Sequence, residues 1–453
     1  MPPAYWTYNL IYDRLLLSTD DGQPLPYLAT DWETTDYQTF TLKLRDDVNF
    51  HNGEKFTAHD VVWTATTAKS TPGAIAGAIW GFVKEVVALD DYTVQFVLES
   101  VNVEFLWVIS QTEAVILNEK AVAADPDKGV WIGTGAYRLI DFIPLDHWTF
   151  ERYDGFWGDA PITRKITMLH IPEPATRAMM LLNGEAQMVF NMPTQDIDQF
   201  IDNPDFVYYQ HIRNNPGPIQ FNMTHPICGN FNFRMAVASA LDRAEITMAV
   251  GGEYVLPDYE SGGLWGYMTE FRNINIPVVP EDLDAAKEYL AASPYNGETI
   301  IITAAMADQI KAAEVVQMQL NRIGIKTDIN VVEPPAIPGI VAENKLEMLI
   351  TGMGYALNAA AIRALVYPGM PTNRTLYDNP VVTEMLDAAS REPNRSAREK
   401  IYMEIQEIIA EDPPFFNIWW NIVPNVGVKG IGGFAQPADA SYNLRYLYWQ
   451  LED

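Results

Sequence analysis

Apolar and polar residues alternate at positions 40–45: Phe40, Leu42 and Leu44 fall on one side, Thr41, Lys43 and Arg45 on the other. A period of two is that of a half-buried strand. Two more β-rich runs lie between Val83 and Leu98, joined by a turn at Asp90-Asp91. Residues 151–190 read as strand, turn, strand, helix, strand, with an apolar run at 166–171 and a helical pattern over 174–182 that stops at Asn183-Gly184. Further on, residues 281–291 are helical and 299–303 form a β-rich run. A helix then places Ala313, Val316, Leu320 and Ile323 on one face and ends at Gly324. Strands follow at 325–331 and 346–351. Strand–helix–strand alternation of this kind predicts a parallel, right-handed α/β unit.

The chain is organised around FNMTHPICGNFNFRMAVASALDR, residues 221–243. Ile219 and Phe221 alternate with Gln220 and Asn222, which predicts a strand ending at Asn222. Thr224, Pro226 and Gly229 mark a turn. Phe233, Ala236, Val237, Ala240, Leu241 and Ala244 share one helical face, with Asn232 as the expected N-cap. Near the C-terminus, Ala397, Ile401, Ile405, Ile408 and Ile409 give a helix ending at Asp412-Pro413-Pro414, followed by an aromatic strand over 415–422.

A chain of 453 residues has room for two or more cores, and 48% hydrophobic with 12% aromatic residues argues for packed rather than disordered structure. A net charge of −29 disfavours nucleic acid and anionic membrane surfaces as partners. The single cysteine, Cys228, excludes an internal disulfide, and no base nearby in sequence would activate it. No apolar run is long enough to span a membrane. MPPAYWTYNL has neither the basic region nor the apolar core of a signal peptide.

These segments resemble, in order and over nearly the whole chain, the family 5 extracellular solute-binding proteins, the peptide, nickel and oligosaccharide receptors of ABC importers. The resemblance rests on YDRLLLSTDDGQPLPYLATDW (12–32), LRDDVNFHNGEKFTAHDVV (44–62), GTGAY (133–137), RYDGFWG (152–158), the 221–243 segment and KAAEVVQMQLNRIGIKTDI (311–329). Family members begin with a further strand and loop of roughly three dozen residues, so the resemblance implies a trimmed N-terminus. It also implies an α/β fold of two lobes, of the periplasmic-binding-protein cluster C type, with a mixed α/β subdomain inserted in the first lobe. The first lobe is expected at 1–14, 135–222 and 430–453, the subdomain at 15–134 and the second lobe at 223–429. The expected location is extracytoplasmic, in the periplasm or lipid-anchored at the outer face of the membrane. The expected partners are a small polar ligand and permease subunits, with the receptor acting as a monomer and needing no cofactor.

The family's peptide receptors place a tryptophan, and three residues on an aspartate, after a second-lobe strand; the aspartate neutralises the peptide's ammonium. Here Tyr355 and Asn358 stand at those positions, and the Asp-Pro that usually follows is absent. Asn358 donates and accepts hydrogen bonds but carries no charge. This shifts the expectation from a peptide with a free N-terminus toward an oligosaccharide or another neutral polar ligand. Asn222, Trp265, Trp419 and Trp6 complete the candidate ligand contacts. Trp419 and Trp420 are adjacent on a strand, so at most one of them can line a pocket.

Other chemistry is weakly signalled. His51 and His59 lack a third ligand at metal spacing and are expected to be solvated or locally hydrogen-bonded. Gly133-Thr134-Gly135 lacks the Lys-Ser/Thr of a phosphate loop and reads as a bend where backbones approach closely. With 59 acidic residues and 12 tryptophans, a glycoside-hydrolase pair can always be imagined, so none is assigned. A secreted carbohydrate-active hydrolase, and a receptor or chaperone on the same scaffold, stand as alternatives.

Overall fold

The structure, a computed structural model, describes residues 4–19, 22–70, 79–192, 196–250, 254–255, 271–273, 275–276, 278–352, 359, 361–434 and 444–449. It is mixed α/β and divides into two compact units. One comprises Met1–Val189, Asp202–Val207 and Val426–Asp453; the other comprises Phe190–Ile201 and Tyr208–Asn425.

In the first unit, α1 (Ala4–Ile11) precedes an antiparallel sheet of β1 (Ala29–Glu33), β2 (Thr39–Leu44), β3 (Val83–Asp90) and β4 (Thr93–Leu98), in the order β1-β2-β4-β3. The alternation in β2 comes out as expected, with Phe40, Leu42 and Leu44 buried and Lys43 exposed. Helix α2 (Ala58–Ser70) lies between β2 and β3. Its start is fixed by Asp60, whose Oδ2 accepts from the Thr57 N–H at 3.0 Å. Trp80, Phe96, Phe105 and Phe56 fill the core between these elements. Burying each such side chain contributes about 1.5–3 kcal/mol.

A second sheet of this unit is β5 (Tyr137–Ile143), β6 (His147–Arg152) and β7 (Lys165–Leu169), antiparallel in that order. Then come α3 (Pro174–Leu182) and β8 (Met188–Val189). Glycine at 133 and 135 is a matter of space: a Cβ there would lie 2.0 Å from the Ile11 carbonyl and 2.4 Å from that of Leu10. The expected close approach of backbones is therefore present. His51 braces the same bend. Its Nε2 donates to the Gly135 carbonyl at 2.9 Å and its Nδ1 accepts from the Gly133 N–H at 3.3 Å.

One buried ion pair ties together distant parts of this unit. Asp13, with its side chain fully buried, accepts from Arg445 Nη2 at 2.6 Å and from the Tyr27 hydroxyl at 2.9 Å. Its other oxygen accepts from Thr134 at 3.0 Å and Trp157 Nε1 at 2.9 Å. All four bonds point at one carboxylate, which satisfies a charge that burial alone would make costly.

The second unit holds most of β9 (Phe206–Phe221), then α4 (Phe231–Ser239), α5 (Arg243–Val250), α6 (Leu283–Ala291), β10 (Thr299–Ala304), α7 (Ala307–Arg322), β11 (Lys326–Val331), α8 (Ile337–Ala342), β12 (Met348–Ile350), α9 (Ala361–Val366), α10 (Pro380–Ala389), α11 (Arg395–Glu411) and most of β13 (Phe415–Val428). Its strands run in the order β13-β9-β12-β10-β11. The pairs β10–β11 and β10–β12 are parallel, and β9–β12 is antiparallel. The α/β unit expected at 299–331 is thus present, with Ile300, Ile302, Ala313, Val316 and Leu320 in one core.

Two local expectations differ. Asn230, rather than Asn232, caps α4, accepting from the Phe233 N–H at 3.2 Å; Asn232 instead donates to the Ala292 carbonyl. The apolar face read as one helix through Ala244 is broken after Ser239, because Asp242 Oδ1 accepts from the Glu245 N–H at 2.9 Å and so starts α5. The two units change over at Val207/Tyr208 in β9 and at Asn425/Val426 in β13. The end of β9 is laddered to β12 and so packs with the second unit.

Candidate functional site

Ala304 at the end of β10 pairs with Val331 on one side and Ile350 on the other. Three parallel strands therefore end in one row. In open α/β sheets, ligands bind outside the carboxyl ends of the strands, where loops diverge. Thr351 and Gly352 leave β12 at this row and lead directly into the segment that carries Tyr355 and Asn358. Those two residues, and Trp265, lie outside the described residues.

Strand β9 runs antiparallel to β12 with Ile219 opposite Ile350, so Gly217 and Pro218 stand at the same edge. Trp419 lies against Gly217 there and is 1% exposed, within the apolar core. Trp420 is also fully buried, but in the separate cluster with Phe415 and Tyr402. The two tryptophans serve different packing layers, and in this structure neither presents an open ring. Trp6 lies in α1, in the first unit.

Asn222 lies at the opposite edge. Its N–H donates to the Glu347 carbonyl at 3.0 Å, one residue before β12 begins. Its side chain is saturated: Nδ2 donates to Asn344 Oδ1 at 2.8 Å and to the Leu346 carbonyl at 2.7 Å. Its Oδ1 accepts from the N–H and hydroxyl of Thr224 at 2.9 and 2.8 Å. Burial and this set of bonds make Asn222 a fastener of the amino edge. Arg234 serves the same edge. Its fully buried guanidinium donates to the Pro413 carbonyl at 2.9 Å, to the Gly229 carbonyl and to Asp412.

Two residues that periodicity does not single out stand at the carboxyl edge: Thr303 in β10, 2% exposed, and Thr351, 7% exposed. The signal for them is a hydroxyl in an otherwise apolar strand, which reads as a simple β-former until the strand's end is located. A groove of about 510 Å³ on the second unit is lined by Pro368, Asp378, Thr383, Glu384 and Asp387, none of them a candidate ligand residue.

Among the described residues no three His, Cys, Asp or Glu side chains gather as a metal site. Burial pushes His51 down to about 4, so the ring is neutral and holds the bend it braces. His59 lies on the surface, 3.7 Å from Asp91. Desolvation raises the buried Cys228 thiol far above its usual range, which leaves it unreactive. No helix among the described residues is long and apolar enough to cross a membrane.

The family model described as bacterial extracellular solute-binding proteins, family 5 Middle, matches residues 23–363. Similar sequences include the glutathione-binding protein GsiB of Pectobacterium atrosepticum, 23% identical over 96% of this chain and 87% of its own. The periplasmic oligopeptide-binding protein OppA of Haemophilus influenzae is 24% identical over 99% of this chain and 90% of its own. Among solved structures, a putative peptide-binding protein AppA from Clostridium difficile superimposes with a TM-score of 0.88 at 22% identity, covering 98% of this chain and 96% of that one. The periplasmic binding protein DppA from Helicobacter pylori, in complex with the peptide STSA, gives 0.84 at 23% identity, covering 99% and 94%. The fold is that of these binding proteins.

Proposed function

Because the chain belongs to the family 5 bacterial extracellular solute-binding proteins, we propose that it captures a peptide outside the cytoplasm and hands it to the permease of an ABC importer. The observation that carries this reading is the family match across residues 23–363. Relatives named for glutathione and oligopeptides, and a fold neighbour holding a peptide, favour a peptide over other solutes. The site is the carboxyl edge of β10, β11 and β12, with Tyr355 as its aromatic wall and Asn358 as its polar group. Affinity arises from burial and a few placed hydrogen bonds, and no covalent step is invoked. The receptor acts as a monomer, and residues 15–134 form an inserted subdomain; the separate core around Trp80 and Phe96 supports the latter. A lipid anchor at the outer face of the cell membrane fits an acidic chain without disulfides.

A second reading, a neutral oligosaccharide, is favoured by one feature alone. Asn358 stands where a peptide receptor carries an aspartate, so a free ammonium would go unpaired. Native mass spectrometry of freshly purified protein separates the two through the mass of a co-purified solute, and calorimetry with short peptides then measures affinity. Binding of peptides in the micromolar range or tighter supports the proposal. Saturable binding of oligosaccharides with none of peptides overturns it.

A further inference from the structure

The hairpin joining β5 to β6 turns through Pro144, Leu145 and Asp146. Leu145 has φ 63° and is 68% exposed. An apolar residue in the left-handed region is strained, and water gives its side chain nothing in return, so neighbouring contacts must hold the turn. The Asp146 N–H donates to the Ile143 carbonyl at 3.1 Å, and the His170 N–H donates to the Asp146 carbonyl at 2.8 Å. Across the turn, His147 Nδ1 lies 2.6 Å from Asp146 Oδ2 and Nε2 lies 3.0 Å from Asp141 Oδ2.

A neutral imidazole has one N–H, so it cannot donate to two carboxylates at once; an imidazolium can. We propose that Asp141, Asp146 and His147 form a proton-operated latch that holds this hairpin tip closed while the His147 ring is protonated and releases it when the ring loses its proton. The groups around the ring come from each neighbouring element. Asp141 belongs to β5 and Asp146 to the turn, Lys165 of β7 interacts with Asp141, and His170 follows β7 with its backbone N–H on Asp146. The Arg138–Glu151 pair, 3.0 Å apart, sits further along the same hairpin. Bonds to Asp146 and then Asp141 raise the His147 pKa above its ordinary 6.5. A raised value means that the latch is fully present below 6.5 and is lost as pH rises through the folded-state value. Once released, the turn is held against the strain at Leu145 by the Asp146–Ile143 and His170–Asp146 backbone bonds and by the pairing of His147 with Ile143 and Leu169. Ile143 and Leu169, each 49% exposed, flank it.

The test is an NMR titration of the His147 ring in the full chain, with hydrogen-exchange protection of the Asp146 and His170 amides followed over the same range. The latch predicts a titration above 6.5, a downward shift in both Asp141→Asn and Asp146→Asn, and loss of protection as the ring deprotonates. Titration at or below 6.5 in the unaltered chain overturns the proposal. So does either Asn variant leaving the value unmoved, or protection that persists through the titration.

Discussion

A Cβ added at Gly217 would lie 2.1 Å from Cε2 of Trp419, well inside any real contact. The indole of a buried core residue rests on bare backbone, and glycine is what admits it. Gly217→Ala is therefore expected to destabilise the chain by about 1–3 kcal/mol through overpacking. Urea unfolding measures the loss. Adding Trp419→Phe should recover part of it, since residues in contact do not act additively. Strict additivity would show that the ring and the glycine are not coupled.

Arg445→Met is expected to cost about 3–5 kcal/mol, because it leaves the fully buried Asp13 carboxylate without its cation. The double variant Asp13→Asn with Arg445→Met should lose less than the single one. Equal losses in thermal or denaturant unfolding would assign the effect to packing instead of charge.

His51 gives stability a defined pH dependence. Its folded pKa of about 4 lies below the unfolded 6.5, so the unfolded chain binds more protons between these values. Stability is complete above 6.5 and declines as pH falls toward 4, by roughly 3 kcal/mol over the window. Unfolding free energies measured from pH 7 to pH 4 test this, and His51→Gln should flatten the slope.

Asn222→Ala and the two loop variants are expected to part company. Asn222 is saturated by partners at the amino edge, so its loss should lower stability by about 2 kcal/mol and leave ligand affinity unchanged. Tyr355→Ala and Asn358→Ala should weaken binding with little loss of stability. Calorimetry with unchanged affinity in both loop variants would remove the proposed site.

What the sequence made legible was local. The alternation of Phe40, Leu42 and Leu44, and the strand–helix–strand pattern around Val316 and Leu320, depend on neighbours a few positions away. The cap at Asn230 was missed by two residues because asparagines stand at both 230 and 232 and only backbone direction chooses between them. The role of Asn222 was hidden for a stronger reason: its partners Asn344 and Leu346 are more than a hundred positions on, and no periodicity reports them. The contact between Gly217 and Trp419 is equally remote. The assignment of Tyr355 and Asn358 came from resemblance alone, and both lie outside the described residues.

The staple between Asp13 and Arg445 also sets an order of events during synthesis. A ribosome delivers Asp13, Tyr27, Thr134 and Trp157 long before Arg445, and the whole second unit emerges in between. Until the last stretch is released, the first unit carries an anion with no counter-charge. The buried ion pair of the first unit is therefore completed only when the final residues of the chain have been made.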